Sequence, residues 1–157
     1  MKHTISVTVE NKSGVLARVS NLFSARGYNI TSLAVSETLD PTVSYMTIVV
    51  EAKDESILEQ IKKQLNKLID VITVTDFTKK EHADREMILV KVSYSSGNKS
   101  KLTRALDKYV AKIIQQKGNS AIIEIVGDQG QIAAVLLKLE QFGIKDLVRT
   151  GRVAMQY

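Results

Sequence analysis

The hydrophobic period of the chain changes abruptly at one short turn, and nothing else in the sequence constrains the fold as much. Ile5-Ser-Val-Thr-Val-Glu10 alternates apolar and polar residues, the period of a half-buried strand. From Val15 onward, Val15, Leu16, Val19, Leu22 and Phe23 share one face of a helix. Asn11-Lys-Ser-Gly14 is therefore a tight strand-to-helix turn. Such a turn presents free backbone N–H groups and the positive end of a helix dipole, which suits a small anion such as a carboxylate. Gly14 allows close approach to the backbone because no Cβ stands in the way.

The same alternation of periods continues. A strand over about 3–10 and a helix over about 14–26 lead to Gly27, a helix-stopping residue. A strand from Asn29 to about Thr38 and the turn at Asp40-Pro41 follow, then a strand with Met46, Ile48 and Val50 on one side. Asp54 is placed to cap a helix striped by Ile57, Leu58, Ile61, Leu65 and Leu68, and Val71–Phe77 is the fourth strand. Thr78–Asp84 is polar and reads as a linker. The order then repeats: a strand over 87–93, a helix over 99–108, and strands around the hairpin signal Gly118-Asn119. A helix carrying Ile132, Val135, Leu136, Leu139 and Phe142 follows, and a last strand runs from Ile144 past Val148. The expected class is α+β, with two ferredoxin-like βαββαβ domains at 1–77 and 85–157 and a linker at 78–84.

Composition enters mainly by exclusion. There is no cysteine, so disulfides and thiolate zinc sites are excluded. The longest apolar runs, such as Ile48-Val49-Val50, are too short to span a bilayer, and Met1–Val7 enters a strand directly without a signal-peptide core. The expected location is the cytoplasm. The net charge of +5 is uneven: residues 1–77 hold 8 Lys+Arg against 9 Asp+Glu, whereas 78–157 hold 14 against 8. A basic half invites a nucleic-acid reading. Lys99, Lys101, Lys108 and Lys112 have few aromatics between them, so a solvated or protein-docking face is the simpler reading.

In a split βαββαβ sheet of order 4-1-3-2, strand 2 is an edge. Thr31-Ser-Leu-Ala-Val-Ser36 carries no charge or proline to guard it. A homodimer through side-by-side pairing of strand 2 across a two-fold axis is expected. Strands 1 and 2 run parallel, so Asn29 starts strand 2 about 25 Å from the Gly14 turn of its own chain. Antiparallel pairing of two edges brings Asn29 of one copy towards the turn of the other.

Catalytic equipment is missing. His3 and His82 have no partner at metal-ligand spacing and read as surface residues, and no Gly-x-Gly-x-x-Gly or Walker-type loop occurs. Gly127-Asp-Gln-Gly130 reads as a strand-to-helix turn. No nucleophile–base constellation is recognisable.

Asn11-x-Ser-Gly-x-Leu-x-Arg18 followed by Leu22-Phe-Ser-x-Arg-Gly-Tyr-Asn-Ile30 resembles the ACT domain of the acetolactate (acetohydroxy acid) synthase small subunits. The resemblance continues through Asp40-Pro-Thr-x-Ser-x-Met-Thr-Ile48, Arg85-Glu-x-x-Leu-Val-Lys91 and Gly143-Ile-x-x-Leu-Val-Arg-Thr-Gly-Arg-Val-Ala154. It implies a non-catalytic regulatory partner of a large thiamine-diphosphate enzyme in branched-chain amino acid biosynthesis. This partner raises the activity of the large subunit and confers feedback inhibition, most often by valine. Thiamine diphosphate, Mg and FAD are then expected on the catalytic subunit, and none on this chain. The family's effector contacts carry over to Asn11, Gly14 and Asn29. Ser13, Val15 and Leu16 take backbone or wall roles beside them, with Asn29 and Ile30 arriving from the second copy. The alternative is a stand-alone amino-acid sensor that binds nucleic acid through its basic second domain.

Overall fold

The computed structural model describes residues 2–157. The chain divides into two compact units, one running up to Ala83 and including Arg152–Tyr157, the other Asp84–Gly151. Each is built on a βαββαβ core of the ferredoxin-like kind.

In the first unit, β1 (Lys2–Glu10) leads through the turn to α1 (Val15–Ser24). Then come β2 (Ile30–Glu37), β3 (Val43–Glu51), α2 (Glu55–Leu65) and β4 (Val71–Asp76). The sheet order is β2-β3-β1-β4 with every neighbouring pair antiparallel, so the central strands are β3 and β1. One face packs Ile5, Val7 and Val9 of β1 with Met46, Ile48 and Val50 of β3 against α1 and α2. The helix contribution is Val15, Val19, Leu22 and Phe23 from α1 and Leu58, Ile61 and Leu65 from α2, whereas Leu16, expected on the same stripe, is exposed. The Asp54 side chain accepts the Ile57 amide at 3.1 Å and caps α2.

The opposite face is lined by hydroxyls. Thr4, Ser6 and Thr8 lie level with Val49, Thr47 and Tyr45 across the β1–β3 ladder. Thr4, Ser6 and Thr47 are nevertheless buried. Residues 152–157 lie on this face.

The second unit consists of β5 (His82–Ser93), α3 (Lys99–Leu106), β6 (Val110–Lys117), β7 (Ser120–Gly127), α4 (Gln129–Leu139) and β8 (Ile144–Arg149). Its sheet order, β6-β7-β5-β8, repeats that of the first unit. The Gly118 hairpin forms with φ +57°, and Asp128 and Gln131 close a capping box at the start of α4. A core of Ile88, Val90, Val92, Ile123 and Ile125 meets Leu102, Ile132, Val135 and Leu139 of the helices.

Three local expectations differ from the structure. β5 begins at His82, inside the segment read as linker, because a polar, half-buried strand start carries no hydrophobic period. The final strand is two: β8 ends at Arg149, and β9 (Val153–Gln156) follows the left-handed Gly151 and joins the first unit. His3 is buried, not superficial, with Nδ1 3.0 Å from the Thr78 hydroxyl.

Candidate functional site

Two backbone hydrogen bonds tie the end of β1 to its surroundings. Glu10 N–H donates to the Asp70 carbonyl at 2.9 Å, and Asn11 N–H donates to the Thr42 carbonyl at 2.7 Å. The Asn11 side chain donates from Nδ2 to the Pro41 carbonyl at 2.9 Å, which pins the turn to the β2–β3 hairpin and uses one of its two amide hydrogens. Its Oδ1 remains an acceptor for a ligand ammonium. Gly14 stands at the N-cap of α1 with φ +82°, the left-handed region that favours glycine, and no side chain caps the helix. By contrast, Asp54 and Asp128 cap α2 and α4. Apart from Val15 N–H, which donates to the Lys12 carbonyl, the amides of the first turn of α1 are thus left to water or to a ligand.

Arg18 is one helical turn beyond Gly14, and helical side chains lean back towards the N-terminus. Its Nε donates to Asp70 Oδ2 at 2.8 Å, in a pair whose acid is nearly buried and whose guanidinium is half exposed. A Cβ built on Gly14 would lie 3.0 Å from the guanidinium nitrogen Nη1 of Arg18. The turn therefore offers uncapped amides and a fixed cation side by side, a setting for a carboxylate. Sequence reasoning had kept Arg18 only as part of a motif. Its position four residues after the turn glycine was the available signal.

The remaining site residues fall in two places. Ser13 and Leu16 are exposed at the turn. Val15 is buried in the core and its N–H donates to the Lys12 carbonyl at 3.3 Å, so it supports the turn from beneath instead of forming a wall. Asn29 and Ile30 lie at the far end of the sheet. The Asn29 carbonyl accepts Glu51 N–H, and Glu51 pairs with Lys2, while Val43 at the other end of β3 pairs with Glu10. Eight strand steps separate these ends, roughly 26 Å. Within one chain the turn and Asn29 do not meet.

Between them runs β2, which pairs with β3 on one side only. Its outer edge carries Thr31 to Ser36, uncharged, with Val35 exposed. A bare edge of this kind is a template for a further strand.

A separate cleft of about 320 Å³ is bordered by α2 and the end of β4. Most of its charges are paired within it: Lys62 with Glu59 and Asp76, and Lys79 with Glu55. Glu59 and Glu55 correspondingly hold Lys62 and Lys79 above the usual lysine range. Among the described residues no group of three or more His, Asp or Glu is placed to hold a metal ion. No helix among them is long and apolar enough to cross a membrane.

Residues 5–73 match the family model of the acetohydroxy acid synthase small subunit-like ACT domain, and residues 85–157 match that of the small subunit of acetolactate synthase. The chain is 45% identical to the probable acetolactate synthase small subunit of Archaeoglobus fulgidus over 155 residues, covering 99% of this chain and 96% of that one. Identity is also 45% with the acetolactate synthase small subunit of Mycobacterium bovis, covering 98% of this chain and 90% of the relative. The crystal structure of the small subunit from Thermotoga maritima superposes with a TM-score of 0.85 at 37% identity, covering 100% and 98% of the two chains.

Proposed function

The chain belongs to the family of acetolactate synthase small subunits, and from that premise we propose that it activates the large catalytic subunit and confers feedback inhibition by valine. In this reading thiamine diphosphate, Mg and FAD belong to the large subunit. This chain supplies an effector site and a docking surface.

The observation that carries the effector site is the pairing of an uncapped, left-handed Gly14 turn with a bare β2 edge. The valine carboxylate takes the first-turn amides of α1, with Arg18 beside it, in charge-assisted hydrogen bonds. Its ammonium takes the Asn11 Oδ1 and acceptors of the second copy. Antiparallel pairing of two β2 edges sets Ile30 of one copy opposite the Glu37 end of the other, the end at which the Gly14 turn lies. Asn29 and Ile30 of one copy then approach the turn of its partner. A site shared by two copies links valine binding to dimerisation thermodynamically.

Inhibition requires that valine bind two states of the complex unequally, because equal binding shifts nothing. The second unit, with exposed Lys99, Lys101, Lys108 and Lys112, is assigned to engagement of the catalytic subunit. Reconstitution with the large subunit tests the reading. The chain should raise acetolactate formation, and valine should lower it again. A large subunit indifferent to the chain overturns the proposal.

A further inference from the structure

We propose that the outer surface of α3 and α4, within the second unit, docks an acidic amphipathic helix of the large catalytic subunit. The inference rests on the reading above that this chain partners such a subunit, and it names the face and the chemistry of the contact. α3 and α4 pack side by side, and Leu102 and Leu106 share a core with Ile132, Val135 and Leu139. Outside, α3 is basic. Lys101, Arg104 and Lys108, spaced i, i+3 and i+7, form one exposed row along the helix and its end. Over residues 98–109, Lys99, Lys101, Arg104 and Lys108 are set against Asp107 alone. None of these four cations has an ion-pair partner among the described residues. Like charges at such helical spacings repel, so the row weakens its own helix until a partner supplies carboxylates.

The neighbouring helix is apolar on its outer side as well as its inner one. Ala133 and Ala134 are exposed, Leu137 is 69% exposed, and α4 carries no charge before Lys138. Lys138 itself is turned onto the Tyr109 ring, with its Nζ 5.0 Å from the centroid. A helix that is apolar on both sides belongs in a buried setting. Packed helices lie about 8–10 Å apart, so the cation row and Leu137 are close enough to meet a single partner helix.

Charge selects the occupant. A two-fold contact between copies uses the same patch twice and would set the cation row near itself, a bar that the uncharged β2 edge does not meet. Nucleic acid would engage the row through its phosphates but has no use for Leu137, and the nearest ring, Tyr109, is already covered by Lys138. A helix with carboxylates on one side and apolar residues on the next satisfies both strips at once.

The test is titration of the full chain against the purified large subunit at low salt. The triple variant Lys101→Glu, Arg104→Glu, Lys108→Glu should raise the dissociation constant at least about tenfold, because like charges then face each other. Leu137→Ser should raise it about fivefold or more. The charge-matched control Lys53→Glu, Lys63→Glu, Lys67→Glu, exposed in the first unit, should bind as wild type does. Carbodiimide coupling of the wild-type complex requires no variant to fold. It should join Lys101 or Lys108 to Asp or Glu side chains of one helix of the large subunit, as read by mass spectrometry. Wild-type affinity in the triple variant overturns the docking face, and so does coupling confined to other lysines. An equal loss in the control overturns it too, since net charge alone would then be at work. Loss of duplex DNA binding in the triple variant, with the large subunit held as before, assigns the row to nucleic acid instead. If the wild-type chain does not bind the large subunit, the failure belongs to the partnership, and the docking face falls with it.

Discussion

The guanidinium of Arg18 lies over Gly14, so that a Cβ at position 14 would stand 3.0 Å from Nη1 in a backbone already at φ +82°. Gly14→Ala thus meets both left-handed strain, about 1 kcal/mol, and a displaced arginine. Gly14→Asp goes further, because the new carboxylate can pair with Arg18 and occupy the place of the ligand's own. The expected outcome in the reconstituted holoenzyme is retained activation with loss of valine inhibition for Gly14→Asp. For Gly14→Ala the expected outcome is a weakened valine response.

Arg18→Gln should lower valine affinity about tenfold, the loss of one partly exposed charge-assisted contact. Dialysis with labelled valine reads it. Asp70 loses its partner in this variant but keeps its backbone bond to Glu10, so the fold should survive. Affinity equal to wild type would place the carboxylate elsewhere.

A charge on the bare edge should guard it. Val35 is 41% exposed in the single chain, so Val35→Lys costs little in the monomer. Sedimentation should show the variant shifted towards monomer, with valine binding weakened in parallel. A dimer as strong as wild type would exclude β2 as the interface.

Thr47→Val removes the buried acceptor of Ala154 N–H while keeping the shape of the side chain. The stranded amide should cost about 1–3 kcal/mol in chemical denaturation. A smaller change would mean that residues 152–157 contribute little to the first unit.

Asp76 supplies the pH-dependent prediction. Burial raises its pKa, but hydrogen bonds from the Thr78 hydroxyl and amide and the charges of Lys62 and His3 outweigh burial, leaving it below its ordinary value of 3.8. A lowered folded-state pKa stabilises fully above the unfolded value and loses that contribution as pH falls through the lowered one. The stability gap between wild type and Asp76→Asn should be full at about pH 6 and shrink below about pH 4. A gap that widens on acidification would contradict the assignment.

Much of this architecture was legible in the residues. The change of period at Asn11–Gly14 located α1, and the helix stripes, Leu16 excepted, and the inward face of β3 were read correctly because burial there follows a simple period. The strand order followed from the topology. Less legible was whatever depended on polar contacts between distant residues. Thr4, Ser6 and Thr47 look like the solvent side of an amphipathic sheet, yet they are buried, and Arg152 and Ala154 bond the Thr4 and Thr47 hydroxyls from more than a hundred residues away. No local period announces such a return. Leu16 illustrates the reverse error: placed on the apolar stripe, it is exposed at the turn while Val15 faces the core, because neighbours in a helix point about 100° apart.

The most direct measurement is isothermal titration of the purified chain with valine, leucine, isoleucine and an unrelated amino acid, beside the same titrations of Gly14→Asp. The expected result is a heat with valine or a related branched-chain amino acid, none with the unrelated one, and none in the variant while its oligomeric state is unchanged. A valine heat that persists undiminished in Gly14→Asp would contradict an effector site at the start of α1.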